Sequence, residues 1–441
     1  MTGSTSIWRR DILGWSLYDF ANTIYSMNIV SLYLKRYIVE DLNYDDRWFD
    51  IPFSLSMAFA ALLLPALGAM SDYTTKKKLF VLLFTIACSG AIGLLAVVPP
   101  AMILATVVLF VIANFSYEAA QPFYNALLYS VADGPRARYI SGVGVAFGYV
   151  GSVVGMVLVL PFVTGGLFGL EIPLITGGGK VAAFVPTAIL FLLFTLPLVF
   201  WVHERPVQKK GKPGLVRAYR DVYDGVVQTK KYPGVLRFLI ADYCFEDAVM
   251  TVIINIGLYC SIVLSLDDTQ INAFLIISTI SAVAGSLVIG KIAQFWSLKR
   301  LIQLIVIGWI ICLLLFVVTD NMAVVWVIGS VVGILLGGLW TTTRPMLAEL
   351  VPRSELGRFF GLFALSGRAA AVIGPLLWTT VVYLFNSERA VGRATARMLD
   401  LTEQQMTALP YKAGILSLVV MMALGLYIFR NVRQPREDRR G

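Results

Sequence analysis

Apolar stretches recur along this chain, each about as long as the roughly 20 residues that an α-helix needs to cross a lipid bilayer. Twelve such stretches can be marked in the 441 residues, and the only long charged segment between them separates six from six. Within lipid every backbone polar group must be paired internally, and a helix satisfies its own. The pattern predicts an all-α polytopic membrane protein with twelve transmembrane helices in two six-helix halves.

The predicted spans have approximate limits. They are 12–34, 50–71, 79–98, 102–128, 139–162 and 181–203 in the first half, then 236–264, 270–291, 300–318, 322–347, 358–384 and 412–432 in the second. This division predicts an N-terminal bundle over 1–203, a cytoplasmic linker over 204–235 and a C-terminal bundle over 236–441.

The composition excludes several classes of protein. Only 14% of the residues are charged, whereas a soluble domain carries about 25%. The four cysteines (Cys88, Cys244, Cys260 and Cys312) and the single His203 have no metal-ligand or disulfide spacing, so neither metal nor cofactor is expected. The sequence contains no Gly-x-x-x-x-Gly-Lys-Ser/Thr phosphate-binding run. One histidine and no carboxylate pair in the loops also argue against a membrane enzyme.

The loop charges predict the orientation in the membrane. Most of the 36 Lys and Arg residues lie in alternate loops on one side, and the cytoplasmic side of a membrane protein carries this excess. The opposite side contains Lys35, Arg36, Arg47, Lys180, Arg389, Arg393, Arg397 and Lys412. Both termini are therefore predicted to be cytoplasmic, in the cell (inner) membrane.

Two segments outside the spans have helical character. In the linker Leu215, Tyr219, Val222, Tyr223 and Val226 recur at helical spacing, which predicts an amphipathic helix on the inner leaflet. A solvated hinge is the alternative interpretation. The polar outer loop 386–411 is predicted to contain a short helix.

The two halves share sequence features. The second span is followed by Gly68-Ala-Met-Ser-Asp72-Tyr-Thr-Thr-Lys76-Lys77-Lys78, and the eighth by Gly290-Lys-Ile-Ala-Gln294-Phe-Trp-Ser-Leu-Lys299-Arg300. The fifth span has Gly142, Gly148 and Gly155, and the eleventh has Gly361, Gly367 and Gly374 at the same spacing. Small residues at such spacing let helix backbones approach closely. Duplicated six-helix halves are typical of transporters.

The Gly68-x-x-x-Asp72-x-x-x-Lys76-Lys77 stretch resembles the loop 2–3 signature of the major facilitator superfamily. Within that superfamily the chain resembles the autophagy-related vacuolar amino-acid effluxer branch. The matching residues are Trp15-Ser-Leu-Tyr-Asp19-Phe-Ala-Asn22, Phe123-Tyr-Asn125-Ala-Leu-Leu, Phe147-Gly-Tyr149-Val-Gly151-Ser152, Phe359-Phe-Gly361-Leu and Gly374-Pro375-Leu376. The resemblance implies the major facilitator fold, a monomeric transporter and export of amino acids.

The chain departs from the family pattern at a few places. Thr75 replaces a glycine of the loop 2–3 signature, Tyr73 a basic residue and Gln294 an acid of the second half. The seventh span has Asp247-Ala248 where the family has Asp-Gly, with Glu246 added before it.

Polar side chains follow one face of several spans. Such groups are costly in lipid and mark a cavity or a partner. They are Asp19, Asn22 and Ser26 on the first span, Asn114, Glu118, Gln121 and Asn125 on the fourth, and Asp242, Glu246, Asp247, Thr251 and Asn255 on the seventh. The tenth span adds Trp340 and Arg344, and the eleventh adds Arg368. In the superfamily fold, spans 1, 4, 7 and 10 line a central chamber.

The charged members of these stripes suggest a binding site. Asp19 and Asp247, placed at matching positions of the halves, are predicted to bind a cationic group or a proton, and Arg344 a carboxylate. Glu118 and Arg368 are further candidates. The alternative is that these charges pair with one another and only lock helices together. Asp242, near the cytoplasmic end, is predicted to be interfacial or gating.

A second group of charges is predicted to act in gating. Asp72 can rest on the positive N-terminal end of the eleventh span, near Ser354 to Arg358, and so close the cytoplasmic side. Lys76 and Lys77 complete this group. A purely topological role for the lysines is compatible with the same pattern.

The sequence therefore predicts a secondary active transporter of a small polar solute, an amino acid or related zwitterion. It is expected to work by alternating access with the proton as coupling ion, in the lipid bilayer, as a monomer and without nucleic acid. A facilitated uniporter is the next interpretation. The same pattern is compatible with an exporter or flippase of drugs, lipids or cell-wall fragments, and with a non-transporting membrane sensor.

Overall fold

The structure is a computed structural model that describes residues 9–74, 76–132, 134–168, 170–173, 176–204, 214–232, 234–319, 321–351 and 356–432. The chain divides into two compact units. The first comprises Met1–Ala218 with Asp267–Asn272, and the second comprises Tyr219–Leu266 and Ala273–Gly441. The boundary lies within the linker helix, and the predicted three-part division stays a prediction.

The described part of the chain is almost entirely helical. The helices are α1 Arg10–Tyr25, α2 Leu34–Arg36, α3 Arg47–Tyr73, α4 Lys77–Leu95, α5 Ile103–Val131, α6 Gly134–Thr164, α7 Phe184–Trp201, α8 Leu215–Gln228, α9 Val235–Ile262, α10 Asp268–Ile292, α11 Leu298–Val318, α12 Met322–Leu350, α13 Leu356–Phe385, α14 Ala390–Met398 and α15 Glu403–Arg430. Between α6 and α7, strand β1 (Gly166–Leu167) pairs antiparallel with β2 (Leu170–Glu171).

Twelve of these elements account for the predicted spans. In the described residues, 11 helices are long and apolar enough to cross a membrane. The remaining span begins with α1 and continues through π-helical turns at Ser26–Tyr33 and Tyr37–Asp41, with α2 between them. Large apolar side chains are exposed along these helices, such as Leu62 (62%), Leu104 (67%) and Leu287 (67%). The prediction of an all-α polytopic fold is confirmed.

The helices outside the spans also match the sequence pattern. Helix α14 is the short helix predicted within 386–411, and α15 begins earlier than the predicted limit of 412. The reason is a capping box, in which Thr402 and Gln405 satisfy each other's backbone N–H groups. Helix α8 is the predicted linker helix, with Tyr219 and Tyr223 exposed. Its position on the inner leaflet stays a prediction.

Buried ion pairs join helices at one end of the first unit. The Lys35 ammonium lies 2.8 Å from both carboxylate oxygens of Asp50 and 3.1 Å from Asp46, and Lys35 is only 1% exposed. Arg36, 3% exposed, pairs with Glu40 at 3.1 Å and with Asp268 at 2.5 Å. The sequence prediction that Lys35 and Arg36 lie in an outer loop is wrong, because the first helix continues past them to Asp41.

A further pair extends the same network. Lys180, at the start of the segment leading into α7, lies 3.0 Å from Glu40 and 2.6 Å from Asp41. Because Glu40 also accepts from Arg36, one carboxylate connects two cations from separate parts of the chain. We call the set Lys35, Arg36, Glu40, Asp41, Asp46, Asp50, Lys180 and Asp268 the outer ion network.

Glycines let α6 pack directly on α1. A Cβ atom added at Gly151 would lie 2.6 Å from Cα of Phe20, and one added at Gly155 would lie 3.0 Å from Ile24. Gly148 packs more loosely, at 3.3 Å from Thr23, and Gly142 has open space around it. The predicted close packing is thus confirmed at Gly148 and Gly155 and wrong at Gly142.

Candidate functional site

The carboxylate of Asp19 lies in an aromatic surrounding in the first unit. A Cβ atom added at Gly144 would lie 2.5 Å from Oδ2 of Asp19, so the acid rests on the α6 backbone. The Tyr124 hydroxyl lies beside the carboxyl group. The ring of Trp15 stacks on Tyr124 with centroids 4.8 Å apart, and its Nε1 donates to the Tyr124 carbonyl at 3.2 Å. A negative group beside aromatic faces suits a cationic ligand.

Other predicted polar groups lie near the same depth on α1 and α5. Asn22 is 6% exposed, and Glu118 and Gln121 are 8% exposed each. Oδ1 of Asn22 accepts no hydrogen bond from the residues that the structure describes. Asn125, one turn beyond Gln121, is exposed. These side chains can offer hydrogen bonds to a polar ligand.

Asn114 has a different role from the rest of its stripe. Its amide nitrogen donates to Oγ of Ser56 at 2.8 Å, and its amide oxygen accepts from the Tyr25 hydroxyl at 3.3 Å. Both ends of the side chain thus hold neighbouring helices, α3 and α1. Here the alternative interpretation, that a buried polar group only locks helices together, is the one the contacts support.

In the second unit the structure brings together residues that the sequence placed on separate spans. Nε1 of Trp340 on α12 donates to Oε2 of Glu246 on α9 at 3.1 Å. The exposed guanidinium of Arg344, one turn beyond Trp340, is close enough to Glu246 to attract it electrostatically. Glu246 therefore joins the predicted α12 residues in one polar cluster.

Asp242 lies one helical turn before Glu246. It is 1% exposed, and neither of its carboxylate oxygens accepts a hydrogen bond from any described residue. Neighbouring helices cover α9 at this level, and the predicted interfacial or gating role of Asp242 stays a prediction. A buried carboxylate without partners is strongly disfavoured, so this group must bind a proton, water or a ligand.

Asp247 holds two helices together. Its Oδ1 accepts from the backbone N–H of Gly374 on α13 at 2.7 Å, and the residue is 0% exposed. Its main-chain carbonyl accepts from the Thr251 hydroxyl at 2.7 Å. Oδ2 has no hydrogen-bond partner among the described residues. One oxygen is therefore structural, and the other is free for a proton or a ligand.

Equivalent glycine contacts relate the acids of the two units. Gly155 packs on the α1 residue five positions after Asp19, whereas Gly374 packs on Asp247 itself. Asp242 precedes Asp247 by the same five positions. A register that equates Gly155 with Gly374 would match Asp19 with Asp242. Gly144, however, packs on the Asp19 carboxylate as Gly374 packs on that of Asp247, so the predicted match of Asp19 with Asp247 stays a prediction.

The remaining predicted residues lie elsewhere. Arg368 is half-buried on α13. The backbone N–H groups of Lys77 and Lys78, at the start of α4, donate to the Glu204 carboxylate at 2.8 and 3.0 Å, while Lys76 is exposed. The Asp72 side chain and the residues from Ser354 to Arg358 fall outside the described side chains, so the gating hypothesis stays a prediction. Glu204, which caps α4, was not predicted in this role.

Comparison with known proteins identifies the family. Residues 50–391 match the profile of the family described as vacuole effluxer Atg22 like. An uncharacterized MFS-type transporter of Bacillus subtilis (strain 168), YxiO, is 26% identical over 82% of this chain and 86% of its own length. Autophagy-related protein 22 of Coccidioides immitis (strain RS) is 21% identical over 74% of this chain and 66% of its own.

Solved structures share the fold at low sequence identity. The nucleoside transporter NupG aligns with a TM-score of 0.73 at 15% identity, over 96% of this chain and 100% of that one. An inward-facing bacterial homolog of the human lysosomal transporter Spinster aligns with a TM-score of 0.71 at 12% identity, over 98% of both chains. The chain belongs to the Atg22-like family and is a transporter of the major facilitator type, not an enzyme.

Proposed function

We propose that this transporter moves a small polar solute, an amino acid or a related zwitterion, and couples its movement to the proton by alternating access. The observation that carries the coupling is the burial of Asp242, which is 1% exposed with both oxygens unpartnered among the described residues. Glu246, one turn away, is a second acid on the same helix. Two neighbouring acids are not readily charged at the same time, so one of them can carry a proton.

Each unit contains a group of the kind that a zwitterionic substrate needs. An ammonium group needs an acceptor, and Asp19 beside Trp15 and Tyr124 provides a carboxylate with aromatic faces. A carboxylate needs a donor, and the exposed guanidinium of Arg344 can bind one bidentately. The resemblance to amino-acid effluxers points to the same class of substrate.

The substrate class can be tested by ligand-induced thermal stabilisation of the purified protein. Amino acids, short peptides, sugars and nucleosides would be screened at two pH values. We expect stabilisation by amino acids or peptides, lost in Asp19→Asn or in Arg344→Ala. Stabilisation only by sugars or nucleosides would contradict the zwitterion, and a hit unaffected by either substitution would place the site elsewhere.

Proton coupling can be tested in proteoliposomes with an imposed pH gradient and a substrate found in that screen. We expect Asp242→Asn to abolish accumulation driven by the gradient while substrate counterflow continues, because the amide cannot carry a proton. The matched control is Asp400→Asn, since Asp400 is an exposed acid whose positive φ of 50° asparagine also adopts. Gradient-driven accumulation that persists in Asp242→Asn would contradict the role of Asp242, and the lack of any gradient-driven accumulation in the unchanged protein would indicate a uniporter.

A further inference from the structure

A cavity separate from the polar stripes lies at one end of the second unit. It has a volume of about 580 Å³ and lies where the turn between α10 and α11 meets the last residues of α15. Its polar lining residues include Arg300, Gln303 and Arg430. Its apolar lining residues include Leu304, Ile307 and Leu426. We call it the α11–α15 groove.

The groove changes from basic to apolar along the helix axes. On α11, Leu304 and Ile307 follow Arg300 by four and seven positions, so all three share one face of the helix. On α15, Leu426 precedes Arg430 by one turn in the opposite chain direction. Four residues of helix rise by about 6 Å. Both helices therefore place a guanidinium at the end of the span and an aliphatic side chain one turn deeper.

The side chains of Arg300 and Arg430 are both exposed. Neither Arg300 nor Arg430 has an acidic partner among the residues that the structure describes. At the end of α15, Nζ of Lys299 donates to the main-chain carbonyl of Arg430 at 2.9 Å and to that of Val432 at 2.7 Å. These carbonyls are therefore already satisfied. These bonds also fix the start of α11 to the end of α15. The positive charge of the groove thus lies on a rigid frame.

Exposed aromatic residues mark the level of the groove in the membrane. Phe295 is 85% exposed and Trp296 is 56% exposed, and both line the cavity. Tryptophan is enriched where a bilayer meets water, which places Trp296 at that level. Leu304 (52% exposed) and Ile307 (40% exposed) lie on the lipid-facing part of a spanning helix. The groove therefore opens toward the headgroup region and extends toward the acyl chains.

We propose that the α11–α15 groove binds an anionic phospholipid. The phosphodiester lies between Arg300 and Arg430, and an acyl chain runs along Leu304, Ile307 and Leu426. A soluble anion would use the guanidinium groups but would leave the apolar part of the groove unfilled. A neutral lipid would fill the apolar part but would lack the charge that two arginines complement. An anionic phospholipid matches both the basic end of the groove and its apolar part.

Native mass spectrometry of the full-length protein tests this binding. Delipidated protein would be titrated with phosphatidylglycerol, phosphatidylcholine, glycerol phosphate or inorganic phosphate. We expect phosphatidylglycerol to bind about 25-fold more tightly than phosphatidylcholine, since each of the two basic residues contributes about a factor of five near a membrane surface. The double variant Arg300→Gln/Arg430→Gln should lose this preference, and Arg300→Lys/Arg430→Lys should retain most of it.

The matched control is Arg393→Gln/Arg397→Gln, which removes the same charge from two exposed residues of α14. It should bind phosphatidylglycerol as the unchanged protein does. Equal binding of the two phospholipids, or a preference that survives Arg300→Gln/Arg430→Gln, would overturn the proposal. Binding of glycerol phosphate or inorganic phosphate as tight as that of phosphatidylglycerol would overturn it in favour of a soluble anion. Size-exclusion chromatography shows that each variant is folded before it is compared.

Discussion

Asp242 and Asp247 lie on one helix, yet their surroundings give them different chemistry. Asp247 accepts a backbone hydrogen bond from Gly374 across the α9–α13 contact. Asp242 has no such partner among the described residues. An acid with a fixed donor contributes to packing whether or not it carries a proton, whereas an acid without one changes its surroundings each time it ionises. This difference is why the proposed proton carrier is Asp242.

The role of Asp247 leads to a prediction about stability. Asp247→Asn retains a carbonyl oxygen that can accept from Gly374, so its thermal unfolding in detergent should stay close to that of the unchanged protein. Asp247→Ala removes the acceptor and leaves a buried N–H unpaired, which costs about 1 to 3 kcal/mol. A lower melting temperature for the alanine variant alone is the expected result. Equal melting temperatures would show that the bond contributes nothing.

Lys35 gives a second prediction at this scale. Lys35→Met leaves Asp46 (4% exposed) and Asp50 (0% exposed) buried without their cation. Breaking a buried pair in this way costs about 3 to 5 kcal/mol. Thermal unfolding in detergent should show a large loss, partly recovered when Asp50→Asn is added.

The matched control for Lys35 is Arg47→Met, which breaks a pair with Asp45 whose side chains are 47% and 51% exposed. An exposed pair contributes at most about 1 kcal/mol. If the two methionine substitutions lowered stability equally, the outer ion network would be no stronger than a surface contact.

Most of the polar residues that lie within helices were identifiable from the sequence, but their partners were not. Glu246, Trp340 and Arg344 were each identified because polar groups are rare within spans. The contact between these residues depends on how α9 packs against α12. The sequence pattern of a single helix does not contain that information. Lys35 was placed in a loop because a lysine at the end of an apolar stretch normally marks one. Of its two acidic partners, Asp50 lies in α3 and Asp46 directly precedes that helix.

At the scale of helices, the contact of α1 with α6 depends on glycines. Gly151 lies against the backbone of Phe20, so any side chain there must push the two helices apart. Gly142, on the same helix, has nothing within 4 Å. Two glycines of one helix therefore have opposite tolerance for a methyl group.

This contrast can be measured with two variants. Gly151→Ala should destabilise the protein by about 1 to 3 kcal/mol through overpacking. Gly142→Ala should leave stability unchanged or raise it by up to about 1 kcal/mol, since alanine is the better helix former. Thermal unfolding in detergent distinguishes them. A stable Gly151→Ala variant would mean that α1 and α6 do not touch as the structure shows.

Helix existence and limits were largely predictable at this scale, because long apolar runs have few other solutions. The contact glycines were predictable only in part. A spacing of six and seven positions drew attention to Gly142, whereas the face toward α1 is made by Gly144, Gly148, Gly151 and Gly155 at three- and four-residue steps. Those steps are the ones that keep residues on one side of a helix.

For the whole molecule, the distribution of basic residues predicts the orientation in the membrane. Lys76, in the basic loop between α3 and α4, and Asp400, in the segment between α14 and α15, lie on opposite sides if both termini are cytoplasmic. Both are exposed. All four native cysteines are buried, so single cysteines introduced at these positions would report with little background.

We expect Asp400→Cys to react with a membrane-impermeant maleimide in intact cells. Lys76→Cys should react only after the cells are permeabilised. Labelling of Lys76→Cys alone in intact cells would show that the topology is the inverse of the predicted one. Labelling of both variants in intact cells would contradict their predicted positions on opposite sides of the membrane. The same assay on isolated membrane fractions tests the assignment to the inner membrane.

The widened turns in the first helix have a mechanical consequence. A π turn accommodates one residue more than an α turn, and such insertions are frequent at functional sites. If the segment Ser26–Tyr33 tightened to α geometry, every residue beyond it would shift by one position, a rotation of about 100° around the axis. Lys35 and Arg36 would then turn away from their acids. Such a tightening would therefore have to break the buried pairs that Lys35 and Arg36 make in the outer ion network.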